Sequence, residues 1–218
     1  MDKKKDTVKA DVRAQILQAA EEEFLAVGYD GARTTAIARR AGVTSAMLHY
    51  YFQTKRQLFE MVFRQKAGMF FGSFVNIMEE PMPFIEKIKF FIDTHWRILQ
   101  LNPGIPLFII NEVRKNPDLL KNAVLEDNNA GGNPFNRFFK AFEKEMHAAI
   151  RAHIVRPVEP VEVLMMILSL NIFPFVVQPV LIAAGVISES HSRRIIKNRS
   201  QHVIELVLNA ILEPEQPS

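Results

Sequence analysis

Apolar residues recur at three- to four-residue steps along almost the whole of this chain, and no segment sustains an alternation of period two. That period lays an apolar stripe along a helix and leaves no half-buried strand, so the fold class is all-α. Val12, Ile16, Ala20, Phe24 and Val27 form the first stripe. Glycine, proline and threonine punctuate the pattern. Gly28 and Gly31 end the first helix, and Gly42 breaks a short helix that follows Thr34 or Thr35. Thr44 and Thr54 stand as N-caps of the next two helices, one running to about Tyr51 and one starting at Lys55. Further helices are expected at about 84–101, 104–115, 117–127, 135–155, 160–184 and 189–212. The stretch 128–134 is the clearest loop, and the tail 213–218 is expected to fray.

Composition removes several function classes. Hydrophobic residues make up 48% of the 218, enough for a packed core, and Cys is 0. Disulfide scaffolds, thiolate metal sites and thiol nucleophiles are therefore excluded together, which suits a cytoplasmic protein. The first residues are basic and acidic with no apolar run after them, so no secretory signal is expected. His147 and His153 do not share a helix face, and no carboxylate gives them metal-ligand spacing. No glycine-rich phosphate loop or nucleophile elbow is present. No enzymatic activity, cofactor or metal is expected. Residues 163–188 carry no charge, long enough for a membrane span, yet Ser169, Asn171, Pro174, Gln178 and Pro179 interrupt them. The run reads as a helix buried in a core or a subunit interface, with no membrane partner.

Charge is segregated. The net charge is only +3, but residues 31–59 hold five bases (Arg33, Arg39, Arg40, Lys55, Arg56) and no acid. The same segment carries Thr34, Thr35, Thr44, Ser45 and Thr54 beside His49-Tyr50-Tyr51. Such groups donate hydrogen bonds to phosphate oxygens, and bases release counterions from DNA. Ile37, Ala38, Ala41, Gly42, Val43, Leu48 and Tyr51 fall at the spacing of a helix-turn-helix, with Ala38 small where two helices cross and Gly42 where the turn needs a positive φ. Leu48 and Phe52 read as core. The run Glu21-Glu22-Glu23 reads as a solvated face.

These residues resemble the TetR family of transcriptional regulators. The likeness runs from Ile16-Leu17-Gln18-Ala19-Ala20 through Phe24, Gly28 and Tyr29, along Thr34 to Thr44, and ends with Leu48 to Phe59. It covers about the first 60 residues; His49 stands where the family usually has tyrosine, and Arg33 where a small hydroxyl residue is common. The resemblance implies a three-helix DNA-binding domain at 8–58 and a helical ligand-binding and dimerisation domain at 59–213. It places Thr34, His49, Tyr51 and Lys55 on phosphates, and Ser45, Ala46, Met47 and Tyr50 at the groove. The groove helix holds no Arg, Asn or Gln, which leaves Arg33 as the candidate reader of guanine, with Thr44 a further hydroxyl beside the phosphates.

The same resemblance implies a ligand pocket among the later helices. Phe91, His95, Trp96, Phe108, Asn111, Met165 and Asn171 are the candidates to line it, His95 being either a satisfied core histidine or a group that orients a ligand. Phe63, Met69, Phe70 and Phe74 of the helix from Lys55 are expected to face the later core. One reading head recognises only a few base pairs, so two heads on a palindromic double-stranded DNA operator are expected. The homodimer would form through the two C-terminal helices, whose apolar positions Val203, Ile204, Val207, Leu208 and Ile211 need a covering surface. The expected function is a repressor released by a hydrophobic small molecule. The alternative is a DNA-binding dimer with no effector, its later helices serving dimerisation or a protein partner.

Overall fold

A computed structural model describes residues 2–121 and 134–214. Of the loop expected at 128–134, Pro134 instead opens a helix and the rest lies outside the described residues, as do the later part of the helix expected at 117–127, the last residues of the tail and the side chain of Phe74. Among the described residues ten helices follow one another: α1 (Asp2–Gly31), α2 (Thr34–Arg40), α3 (Ser45–Tyr51), α4 (Lys55–Val75), α5 (Phe84–Leu101), α6 (Ile105–Lys115), α7 (Asp118–Leu120), α8 (Pro134–Arg151), α9 (Pro160–Ala183) and α10 (Glu189–Ile211). A 3-10 turn at Ile77–Glu79 follows α4. No strand occurs among the described residues; Val155 and Leu212 form an isolated antiparallel bridge.

Local chemistry explains where the helices stop. After α2, Val43 N donates to Ala38 O at 3.0 Å and Gly42 N to Arg39 O at 3.2 Å, with Gly42 at φ 68. The same pair of bonds closes α9, with Gly185 at φ 71. Both are Schellman endings, in which a left-handed residue lets the last carbonyls find donors. The third instance falls on a histidine. Ile154 N donates to Ala149 O and His153 N to Ile150 O, both at 3.0 Å, with His153 at φ 53. So α8 ends at Arg151, short of the expected Val155, because His153 does a task normally given to glycine. A left-handed non-glycine residue is strained by about 1–2 kcal/mol. His153→Gly is therefore expected to raise stability by about 1 kcal/mol, measured by urea unfolding; an unchanged or lower midpoint refutes the strain.

The chain divides into two compact units, Met1–Gly68 with Leu107–Val124, and Met69–Pro106 with Leu125–Ser218. In the first, Ile16, Ala20 and Phe24 of α1 are buried with Ile37 and Ala38 of α2, Leu48 of α3, and Leu58, Phe59, Val62 and Phe63 of α4. Phe108 of α6 joins this core, its ring 6.0 Å from Phe59 and 5.9 Å from Phe63.

The second unit buries Ile88, Phe91 and Ile92 of α5, Phe138, Phe142 and Met146 of α8, Val163, Leu164 and Ile167 of α9, and Val203, Ile204, Val207 and Ile211 of α10 in one cluster. The apolar face of α10 thus packs into the chain's own core, and the expectation that it needs another surface is corrected. Lys87 is buried beside this cluster, donating to Met78 O at 2.7 Å and pairing with Glu145 at 2.5 Å. Helix α9 is long and apolar enough to cross a membrane by length and composition, yet only 17% of that stretch is buried within the chain. Its inner face holds Val163, Leu164, Ile167, Asn171 and Phe175. Its outer face leaves Val161, Met165, Phe173 and Val180 exposed, Phe173 at 62%.

Candidate nucleic-acid interface

The exposed head is set by which residues must be buried. Leu48 and Phe52 are the buried positions of α3 and its end, so the rest of this seven-residue helix faces outward. Ser45, Ala46, Met47, His49 and Tyr50 are all exposed, Tyr50 at 72%. Tyr51 is half-buried and meets the Tyr50 ring edge-on, centroids 5.3 Å apart. Thr44 caps the helix by accepting from Met47 N at 3.1 Å. That bond uses a lone pair and leaves the hydroxyl hydrogen available to a phosphate. Thr54 accepts in the same way from Gln57 N at 3.1 Å, which opens α4 at Lys55. Lys55 is half-buried, its ammonium 4.6 Å over the Tyr29 ring. Arg33 is exposed at the N-cap of α2, and Thr34, half-buried, begins that helix.

The acidic run of α1 is more than a solvated face. Glu22 and Glu23 pair with Arg40 at 3.0 and 3.4 Å, and Glu23 also accepts from Arg33 N at 3.4 Å. Glu21 pairs at 2.5 Å with Lys66, which is buried. These contacts tie α1 to α2 and α4. Arg56 pairs with Glu60 at 2.7 Å within α4. Arg33 and Arg39 form no side-chain ion pair among the described residues.

The candidate ligand residues are partly brought together. Phe91, His95, Trp96 and Asn171 are buried in the second unit. Asn171 Nδ2 donates to Ile92 O and to His95 Nδ1, both at 3.1 Å. The Ile92 carbonyl requires the amide nitrogen there, so His95 Nδ1 accepts and the ring proton sits on Nε2. Phe91 stacks on the imidazole at 5.9 Å and Phe70 meets it edge-on at 5.2 Å. Burial pushes the His95 pKa down to about 4, so the ring is neutral near pH 7. Asn171 Oδ1 is buried with no donor among the described residues. Trp96 donates from Nε1 to Ile196 O at 3.2 Å and packs on Phe175 at 4.9 Å. Phe108 stands in the first unit with Phe59 and Phe63, Asn111 is exposed on α6, and Met165 is 56% exposed on α9. Met69, expected to face a core, is exposed.

Residues 16–62 match the family described as bacterial regulatory proteins, tetR family. A curated relative, the fatty acid metabolism regulator protein of Bacillus subtilis (strain 168), is 27% identical over 101 residues. That match takes in 46% of this chain and 52% of the relative, about half the length of each. Among solved structures, a TetR family transcription regulator from Marinobacter aquaeolei VT8 superimposes with a TM-score of 0.62 at 14% identity, covering 98% of this chain and 100% of that one. HlyIIR, a hemolysin II transcriptional regulator, gives 0.62 at 18% identity over 95% and 99%. At these identities the two structures establish a shared fold.

Proposed function

We propose that this chain, a DNA-binding transcriptional regulator of the TetR family, is a homodimeric repressor that leaves a palindromic operator when a hydrophobic small molecule binds. The observation that carries the DNA half is the outward face of α3: a Thr44-capped helix whose exposed residues are Ser45, Ala46, Met47, His49 and Tyr50, flanked by Arg33 and Lys55. Ala46 and Met47 suit thymine methyls, and Arg33 suits a guanine edge. Thr34, Thr44, His49, Tyr51 and Lys55 suit phosphates. The reading head falls within 8–58, and ligand binding and dimerisation fall within 59–213, a stretch that also lends Phe59, Phe63 and Phe108 to the core of the first unit. Such a regulator acts in the cytoplasm, where a bacterium keeps its DNA.

The effector half rests on the second unit. Phe70 and Phe91 pack on a neutral imidazole, and among the described residues Asn171 Oδ1 has no donor. A mainly apolar ligand with one polar group fits that chemistry. The curated relative is named as a regulator of fatty acid metabolism, which favours an acyl chain over an aromatic compound. Helix α4 contributes residues to both units and gives ligand binding a path to the reading head. A coupling of about 1–3 kcal/mol suffices to loosen DNA 5- to 150-fold.

The test starts from a randomised DNA pool. Selection should enrich an inverted repeat with half-site centres about one helical turn apart. Long-chain acyl compounds are then titrated onto the complex and should release it. A non-repeated site removes the palindrome from this reading. Acyl compounds that bind without weakening DNA remove the effector and leave a DNA-binding dimer alone.

A further inference from the structure

Glu112 lies 83 positions from Tyr29 in sequence, yet its Oε1 accepts from Tyr29 N at 3.1 Å. The carboxylate is 4% exposed, a burial that acidic residues tolerate only with partners. Gly28 explains the fit. Its φ of 70 and ψ of −178 break α1 in a region open essentially to glycine alone, and a Cβ there would stand 2.8 Å from Glu112 Oε1. Lys115, one turn on along α6, comes to 3.8 Å of the same carboxylate and pairs with Asp30 at 2.9 Å. A cavity of about 230 Å³ lies against Tyr29, Phe59, Glu112 and Leu119. Close packing is therefore missing on that side of the Gly28–Tyr29 break, where the hydrogen bond to Glu112 holds the Tyr29 backbone beside the Lys115–Asp30 pair. The Tyr29 ring, held 4.9 Å from Phe59, is the surface over which Lys55 lies at 4.6 Å.

We propose that Glu112 of α6 is a positioning residue for DNA binding: through the Tyr29 backbone it sets the aromatic ring that aims Lys55 at a phosphate. The inference rests on Lys55 being a phosphate contact. An aimed ammonium displaces a counterion when DNA binds, whereas one that wanders is a weaker contact, so the effect is read in the salt dependence. A merely destabilised protein loses active molecules by the same factor at every salt concentration and keeps its slope.

The experiment uses the full chain and a mixed-sequence DNA duplex, with affinity measured against salt for the native protein, Lys55→Ala, Glu112→Ala, Glu112→Gln and the double variant Glu112→Ala/Lys55→Ala. Lys55→Ala should flatten the slope by about one unit for each bound subunit. Glu112→Ala should flatten it similarly, and the double variant no further than Lys55→Ala alone. Glu112→Gln keeps an oxygen for Tyr29 N and should keep the native slope. A native slope in Glu112→Ala beside a flattened one in Lys55→Ala overturns the positioning role and leaves Lys55 as a phosphate contact. Flattening in Glu112→Gln equal to that in Glu112→Ala also overturns it. A native slope in Lys55→Ala overturns both.

Discussion

Ile167→Glu should unfold the protein, whereas Phe173→Glu, six positions along the same helix, should leave it folded and monomeric. Ile167 is 0% exposed within the cluster shared by α5, α8, α9 and α10. A glutamate there enters a cluster of apolar side chains, and an unpaired buried charge costs about 3–5 kcal/mol before the lost isoleucine packing is counted. Domains hold only about 5–15 kcal/mol in all. Phe173 belongs to the outer stripe with Val161, Met165 and Val180, which the chain leaves uncovered. A charge on that stripe has no cost in a single chain, but it is buried in the proposed homodimer. Native protein should sediment as a dimer at micromolar concentration, and Phe173→Glu as a monomer with native helical content. Insolubility of Phe173→Glu with loss of helix would place the stripe in the chain's own core. A native monomer would refute the dimer itself.

This contrast marks how far the sequence can be read. Gly42, Thr44 and Thr54 were legible because a positive φ and an N-cap bond are made within a few residues. Leu48 and Phe52 were legible as core because they sit on the apolar side of a short amphipathic stretch. On α9 and α10 the apolar residues are so many that the pattern does not say which face meets the chain and which a partner. Val203 and Val207 were accordingly expected at a partner surface and lie in the core. Ion pairs such as Glu21 with Lys66 and Glu22 with Arg40 join residues far apart in sequence, so a run of three acids looked solvated. Glu112 carried no local signal at all, because the glycine it fits lies 84 residues earlier. His95 and Asn171 were visible as polar residues in apolar helices, but their mutual hydrogen bond depends on packing across the second unit.

The burial of His95 makes stability depend on pH. In the folded state burial lowers the His95 pKa from 6.5 to about 4, while the unfolded chain binds a proton at the ordinary value. Between these two values the unfolded state holds more protons, so acid favours unfolding. The contribution of neutral His95 is complete above pH 6.5 and is lost progressively as the pH falls to about 4. Over that window the loss amounts to about 3 kcal/mol. Protonation would also place a donor at Nδ1, against the Asn171 amide that already donates to Ile92 O, so the ring cannot charge without breaking the pair. Among the described residues, Phe70, Phe91 and Asn171 stand against the ring. His95→Gln removes the titrating group while leaving a polar side chain beside Asn171. Urea unfolding from pH 7 to pH 4 should show native stability falling more steeply than that of His95→Gln, whatever their difference at pH 7. Asp30, whose pKa is lowered by its hydrogen bond to Lys115, titrates in both proteins and cancels in the comparison. Parallel curves for the two proteins would show that His95 is protonated as readily in the folded state as in the unfolded one, and that the buried ring has access to water.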